Sequence, residues 1–218
     1  MTIFKLLMEE ERPQRFTSEP MSYATAGKQL VDSGNKLVSF EEILRGITLF
    51  LSSRSSRFQA ARSLVRSAIS DHGIWGYTNV YWTGDSFSLK DDTFGLGQNL
   101  DSFIQGSETK SPVLPSNPKG VYRFDNKMFG VFKPSKFVEG RPGEFFRENS
   151  KGLSELASRN GLDIEVKGLK IPKGELKRTV CSLRFRQGVM ILDLADDETN
   201  RRYALGRRGS HYDPSRFS

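Results

Sequence analysis

The apolar residues of this chain change period near residue 73, and this change limits the fold more than any other feature. Before it, Ser39-Phe40-Glu41-Glu42 has the pattern of a capping box, a serine followed three residues later by a glutamate. One helix is predicted to begin there and a second to run from about Ser53 to Ser70. After it, Asn79–Trp82 and Phe87–Leu89 flank the turn-forming segment Thr83–Ser86, which predicts a β-hairpin.

The rest of the chain continues mainly in strand-like segments. Val121–Phe124 and Lys127–Phe132 predict another hairpin around Asp125-Asn126. Further strands are predicted near residues 162–167, 179–185, 189–194 and 203–205, and a helical patch near residues 141–160. Together these elements predict an α+β fold in which two or three helices pack against an antiparallel β-sheet.

Two regions are predicted along the chain. Residues 1–36 mix a short apolar segment, an acidic cluster and two prolines, which predicts a flexible or partner-docking N-terminal arm. Residues 37–218 are predicted to form a single α+β domain whose C-terminal part is basic. If the arm docks on a second copy and makes a homo-oligomer, its apolar side chains would form the contact: Ile3, Phe4, Leu6 and Leu7.

The charge of the 218 residues favours anionic partners. The formal net charge is +7 and the isoelectric point is near 9.5, which predicts attraction to nucleic acid or to an anionic membrane surface. Cys181 is the single cysteine, no Asn-x-Ser/Thr sequon occurs, and no apolar run approaches the roughly 18 residues that span a bilayer. We therefore expect a protein of the reducing cytoplasm, or of a virion assembled there.

Basic residues are distributed unevenly, and residues 178–218 contain eight arginines and no lysine. Guanidinium groups bind phosphate or carboxylate through paired hydrogen bonds, which lysine cannot do. Strand alternation predicts that Arg184 and Arg186 share an exposed face about 7 Å apart, while Cys181 points into the core. The alternative is a solvated surface whose arginines pair with nearby acidic residues. The predicted nucleic-acid-binding residues are Arg62, Arg66, Lys133, Lys136, Arg178, Arg184, Arg186, Arg201, Arg202, Arg207 and Arg208.

One short string suggests chemistry. Asp163-Ile164-Glu165-Val166-Lys167 resembles the acidic-x-Lys half of the restriction-endonuclease-like nuclease motif. That resemblance implies a metal-dependent nuclease in which Asp163 and Glu165 hold a divalent cation and Lys167 assists. An exposed, charged strand accounts for the same five residues.

The main functional expectation is a non-enzymatic, nucleic-acid-binding and self-assembling structural protein of the viral nucleocapsid, matrix or movement type. Single-stranded RNA is the favoured partner, and neither a cofactor nor a metal ion is expected. Trp75, Tyr77, Tyr81 and Trp82 are close in sequence and could stack on bases, although core packing is the commoner fate of such residues. The alternatives are the nuclease and a peripheral membrane protein whose segment Met1–Met8 inserts into anionic lipid.

Overall fold

The computed structural model describes residues 14–53, 56, 59–92 and 113–208. Within these ranges the chain forms six α-helices and ten β-strands. The helices are α1 (Tyr23–Asp32), α2 (Phe40–Ser52), α3 (Gln59–Asp71), α4 (Pro134–Glu139), α5 (Arg141–Phe146) and α6 (Glu148–Arg159). The strands are β1 (Gln14–Phe16), β2 (Asn35–Leu37), β3 (Ile74–Thr83), β4 (Ser86–Asp91), β5 (Gly120–Arg123), β6 (Gly130–Phe132), β7 (Asp163–Lys167), β8 (Leu176–Arg186), β9 (Val189–Asp196) and β10 (Tyr203–Arg208).

The predicted α+β class is confirmed, but the sheet is mixed rather than antiparallel. Its main body follows the order β5-β4-β3-β8-β9-β7-β6. Two neighbouring pairs are parallel, β7 with β9 and the start of β3 with β10. Strand β3 is ten residues long and changes partner along one edge, from β10 at Ile74 to β4 at Thr78.

Sequence patterns correctly predicted the elements that depend on residues close together in the chain. Ser39 caps α2 with both bonds of the capping box, and the first hairpin pairs Trp82 with Phe87 as predicted. The second predicted hairpin is wrong: β5 pairs with β4, β6 pairs with β7, and Asn126–Met128 forms a 3-10 helix between them. The two strands are thus the outer strands of the seven-stranded body.

The short connection between these outer strands requires the sheet to curl. Seven flat strands would separate the outer two by about 29 Å, whereas the seven Cα steps from Arg123 to Gly130 reach at most about 25 Å even when extended. Aromatic rings fill the inside of the curl: Phe129 packs 5.1 Å from Phe124 and 5.9 Å from Trp82, between ring centroids. This cluster is continuous with the main hydrophobic core.

The N-terminal part of the fold begins earlier than the sequence indicated. Residues 14–36, which were assigned to an arm, contribute β1, α1 and most of β2, and both strands pair antiparallel with β10. Tyr23 of α1 is buried with its ring edge-on to Trp75, at 5.6 Å between centroids. This segment is thus held by strand pairing with β10 and by packing against Trp75. The predicted contact residues Ile3, Phe4, Leu6 and Leu7 lie outside the described residues.

A buried ion pair joins the C-terminal strand to the sheet. Arg202 bonds both oxygens of Asp196, donates to the carbonyl of His72 at the end of α3, and lies 5.3 Å from the ring centre of Trp75. Burial alone would raise the pKa of Asp196, but hydrogen bonds from Arg202 and Ser182 outweigh it and lower that pKa. The pair therefore joins β10, β3, α3 and the β8–β9 hairpin through one fully bonded charge cluster.

None of the helices in the described ranges is both long enough and apolar enough to cross a membrane.

Replacing Arg202 with methionine should lower the free energy of unfolding by about 3–5 kcal/mol, because Asp196 would be left as an uncompensated buried charge. Urea unfolding followed by circular dichroism measures this loss. The matched control is Arg201→Met, which removes an exposed neighbour that donates only to the Pro20 carbonyl. We expect the control to lose less than about 1 kcal/mol, and equal losses in the two variants would contradict the assignment.

Candidate ligand-binding site

Four of the six C-terminal arginines whose side chains the structure describes neutralise carboxylates of the same chain. Arg178 pairs with Glu198, Arg184 with Asp193 at 2.6 Å, and Arg207 with Glu42 at 3.3 Å, while Arg202 holds Asp196. Lys133 and Lys136 pair with Asp163 and Glu139. The alternative in which basic residues pair with nearby acidic ones thus describes most of the predicted nucleic-acid-binding set.

The prediction that Arg184 and Arg186 present one exposed face also needs correction. Strand β8 lies between β3 and β9, and most of its residues, on both faces of the sheet, are buried. Arg184 turns into its pair with Asp193 and keeps only 22% of its side chain exposed, whereas Arg186 at the strand end is exposed. Residues Thr179, Cys181, Leu183 and Phe185 are buried as the alternation predicted.

The remaining predicted residues are dispersed. Arg66 and Arg186 line a shallow hollow of about 400 Å³ beside the β8–β9 turn. Arg201 donates to the Pro20 carbonyl, Arg62 lies in α3, and the side chain of Arg208 lies outside what the structure describes. Since Arg202 is buried and Arg184 mostly so, the predicted set does not form a single basic face.

The surroundings of the other residues singled out from the sequence indicate structural roles. Trp75, Tyr77 and Trp82 are fully buried, and burial raises the pKa of the Cys181 thiol well above its ordinary value. Asp163 and Glu165 do share a face of β7, but Lys133 already donates to Asp163 at 2.9 Å. Over residues 14–53, 59–92 and 113–208 there is no group of three or more side chains that could hold a metal ion.

A different part of the molecule offers a concave surface, at the open edge of β5. We call it the arginine groove; it has a volume of about 700 Å³. Its walls come from β5, the connection to β6, and the region of α5. The groove is lined by Tyr122, Arg123, Phe124, Asp125, Met128, Arg141, Glu144, Phe145 and Arg147.

Aromatic packing fixes the floor of the arginine groove. Because β5 pairs with β4, Tyr122 lies opposite Phe87 and stacks on its ring at 5.3 Å between centroids. Phe145 of α5 meets Tyr122 edge-on at 4.8 Å. Helix α5 also packs closely against α4. Gly143 makes this possible, because an added Cβ there would stand 2.1 Å from the Val138 carbonyl oxygen.

The charged groups of the arginine groove are unequally satisfied. Both carboxylates bond to Arg141, Glu144 at 2.6 Å and Asp125 at 3.5 Å. Among the described residues, Arg123 and Arg147 have no carboxylate within salt-bridge distance. The unsatisfied hydrogen-bonding groups of the groove are therefore guanidinium donors.

Arg147 has an unusual backbone conformation at the junction of α5 and α6. Its φ of 43° and ψ of −117° are disfavoured for a residue with a side chain, which costs free energy of order 1–3 kcal/mol. Hydrogen bonds hold it there: its N–H donates to Gly143, and its carbonyl accepts from both the N–H and the hydroxyl of Ser150. Such strained positions concentrate at functional sites.

Behind the groove lies a smaller, more enclosed space of about 180 Å³, which we call the inner cavity. Tyr122, Phe145 and Arg147 line both spaces, so the two are neighbours. The cavity is also lined by Phe40, Glu41, Leu44, Thr78, Leu89, Asp91, Lys119, Phe146, Asn149, Cys181 and Leu194.

A charged triad lies beside the inner cavity. Lys119 donates to Glu41 at 2.6 Å and to Asp91 at 3.1 Å. The hydrogen bond from Lys119 lowers the pKa of Glu41, and nearby Arg45 and Arg147 add to the effect. Burial opposes the charge of Lys119, but its two carboxylate partners outweigh this and raise its pKa. Glu41 and Lys119 thus remain charged near neutral pH, and Lys119 bonds both carboxylates.

On the opposite face of the sheet, Asp92 forms a separate polar centre. Its carboxylate accepts hydrogen bonds from the hydroxyl of Tyr23 and the amide of Asn79, and its N–H donates to the carbonyl of Tyr77. Burial raises the pKa of Asp92 to about 6, although the bonds from Tyr23 and Asn79 and the charge of Arg178 oppose the shift. This carboxylate joins α1 to the β3–β4 hairpin.

The groove residues carry a signal in the sequence, although no role was predicted for them. In two strings an arginine follows or lies between aromatic residues, Tyr122-Arg123-Phe124 and Phe145-Phe146-Arg147. Aromatic residues and arginine are the types enriched at binding hot spots. The strings are 20 residues apart, and only the curl of the sheet brings them together.

Comparisons in three dimensions identify the type of fold. A solved structure described as the accommodation of massive sequence variation in Nanoarchaeota by the C-type lectin fold matches with a TM-score of 0.58. The match covers 93% of this chain and 100% of that one, at 15% identity. At this identity the likeness shows the fold alone, which is similar to the C-type lectin fold. No protein-family model matches the sequence, and no curated protein matches it.

The lectin-like fold overturns the function expected from the sequence. A viral nucleic-acid-binding and assembly protein was predicted from the arginine-rich C-terminal region, whereas the architecture is similar to the C-type lectin fold. The physical reason for the error is that four of the six C-terminal arginines whose side chains the structure describes bond to carboxylates of the same chain.

Replacing Asp92 with asparagine tests the buried carboxylate. Because the pKa of Asp92 is raised on folding, its protonated form stabilises the fold fully below about pH 4, and that contribution is lost as the pH rises through about 6. The asparagine has no charge to bury and keeps an oxygen that accepts from Tyr23. Relative to wild type, the variant should therefore gain about 1–3 kcal/mol of stability between pH 4 and 7.

Urea unfolding at each pH gives this difference directly. Asp32→Asn is the control, since Asp32 is an exposed carboxylate paired with Lys28. A flat difference between wild type and the Asp92 variant across that range, or the same gain in the control, would contradict the assignment.

Proposed function

We propose that this protein is a recognition module that binds an extended, acidic segment of a partner protein in the arginine groove. The observation that carries the proposal is the pair Arg123 and Arg147, which extend into an aromatic-floored groove without a carboxylate partner among the described residues. Arginine recognises carboxylates through paired, charge-assisted hydrogen bonds.

The edge of β5 supports binding of an extended segment. Within the part of the chain that the structure describes, β5 pairs with β4 alone, so its other side has backbone N–H and C=O groups without a strand partner. Val121 on this strand is 67% exposed. An exposed edge of this kind accepts a further strand, in which main-chain bonds provide affinity and neighbouring side chains provide specificity.

The charge balance supports an acidic segment over a basic one. All four carboxylates of the groove and the inner cavity are already paired with cations of the same chain: Glu41, Asp91, Asp125 and Glu144. A basic segment would have to compete with those internal bonds, whereas an acidic one meets two uncommitted guanidinium groups. Complementarity of this kind contributes mainly to specificity and to the association rate.

The type of fold is consistent with a recognition role. The Nanoarchaeota structure is described as accommodating massive sequence variation in the C-type lectin fold. A scaffold that tolerates such variation keeps its core apart from its variable surface. In this chain the groove side chains Arg123, Arg141 and Arg147 are exposed, while the core that holds them is buried.

Reversing both groove charges should abolish the binding of acidic peptides. Selection of 12-residue peptides from a displayed random library on the wild-type protein should enrich aspartate and glutamate. For a selected peptide, we expect Arg123→Glu/Arg147→Glu to weaken the dissociation constant by about 10- to 100-fold per arginine, since a charged hydrogen bond contributes about 1.5–3 kcal/mol. Fluorescence anisotropy with labelled peptide measures the change.

Arg66→Glu/Arg186→Glu is the matched control, because it changes the net charge equally at the exposed hollow on another part of the surface. This control should lose less than about threefold, by long-range electrostatics alone. Equal weakening in both double variants, or selected peptides without an excess of acidic residues, would overturn the proposed function.

A further inference from the structure

We infer that the inner cavity is a specificity pocket that takes one large apolar side chain of the bound segment. This inference rests on the proposed function, and it adds the class of residue that the partner must present. An acidic segment that lacks a large apolar residue at the right position would then bind only weakly.

The size of the inner cavity suits one side chain. Its volume is about 180 Å³, and an apolar cavity of about 150 Å³ is known to hold one benzene ring. A phenylalanine, leucine or methionine side chain therefore fits, whereas two such side chains do not.

The chemistry of the lining favours an apolar occupant. Four of the polar side chains that line the cavity bond to one another: Lys119 bonds Glu41 and Asp91, and the hydroxyl of Thr78 donates to Asp91 and accepts from the Phe40 N–H. Burial keeps the Cys181 thiol neutral by raising its pKa. The rest of the lining is mainly apolar surface from Leu44, Leu89, Phe145, Phe146 and Leu194, together with Asn149 and with Arg147, which also lines the groove.

The geometry of β5 aims a partner side chain at the cavity. Side chains of directly opposed residues on paired strands lie on the same face, so the residue opposite Tyr122 would lie on the face that Tyr122 lines. Gly120, two residues earlier on that face, has no side chain, and the Tyr122 hydroxyl lies 2.6 Å from where its Cβ would stand. A partner side chain at this position would therefore meet Tyr122 and Arg147, which line both the groove and the cavity.

The first test needs no partner and uses toluene as the probe. Toluene should perturb the methyl NMR signals of Leu44, Leu89 and Leu194 and should raise the melting temperature in a concentration-dependent way, because it binds the folded state. In Leu89→Phe the larger ring fills the cavity, and both effects should disappear. Leu169→Phe is the control, since Leu169 is another partly buried leucine of the same core and lies outside both spaces.

The second test uses the acidic peptides selected on the wild-type protein. They should share one apolar residue, and its replacement by alanine should weaken binding by about 10- to 100-fold, the effect of burying one large side chain. In Leu89→Phe, the parent peptide and its alanine version should bind with similar affinity, while Leu169→Phe should still discriminate between them.

The two tests separate the inference from the proposed function. Acidic peptides that bind without any preference for an apolar residue would overturn the pocket and leave the proposed function intact. Absence of toluene binding, or toluene effects that persist in Leu89→Phe, would also overturn the pocket. If no acidic peptide binds the wild-type protein, the proposed function fails, and the assignment of a partner side chain to the cavity fails with it.

Discussion

The buried pair of Arg202 and Asp196 is the interaction on which the rest of the structure depends. One guanidinium bonds a carboxylate of β9, reaches the carbonyl at the end of α3, and covers the ring of Trp75 in β3. A buried charge is tolerated only when its hydrogen bonds are complete, so these elements are fixed relative to one another. β10, which follows directly, then supplies the edges on which β1 and β2 pair.

The second constraint is the curl of the sheet, and the candidate site is its consequence. The six residues between β5 and β6 connect the two outermost strands of the seven-stranded body. Because this connection is short, the two strands must approach each other, although they pair with β4 and β7 and not with one another. Phe124 and Phe129 fill the space between them. Tyr122 of β5 then meets Phe145 of α5, and the arginine groove lies beside this contact.

The arginines that the structure describes differ in whether a carboxylate of the same chain lies beside them. Those on central strands or near buried acids, such as Arg184 and Arg202, balance internal charge and stabilise the fold. Those at the open edge, Arg123 and Arg147, have no such balance among the described residues, and only groups of this second kind are free to bind a partner.

Features that depend on residues close together in the chain could be predicted from the sequence alone. The capping box at Ser39, the hairpin that pairs Trp82 with Phe87, the burial of Cys181 and the α+β class all follow from local hydrogen bonds and from the period of apolar residues. Tertiary structure alone decided which strands pair beyond hairpins, where residues 14–36 pack, and which carboxylate each arginine meets. Arg207 and Glu42, for example, are 165 residues apart. Local sequence patterns cannot predict such contacts, because an exposed arginine and a paired arginine look the same in the sequence. The two differ only after the fold has placed a carboxylate beside one of them.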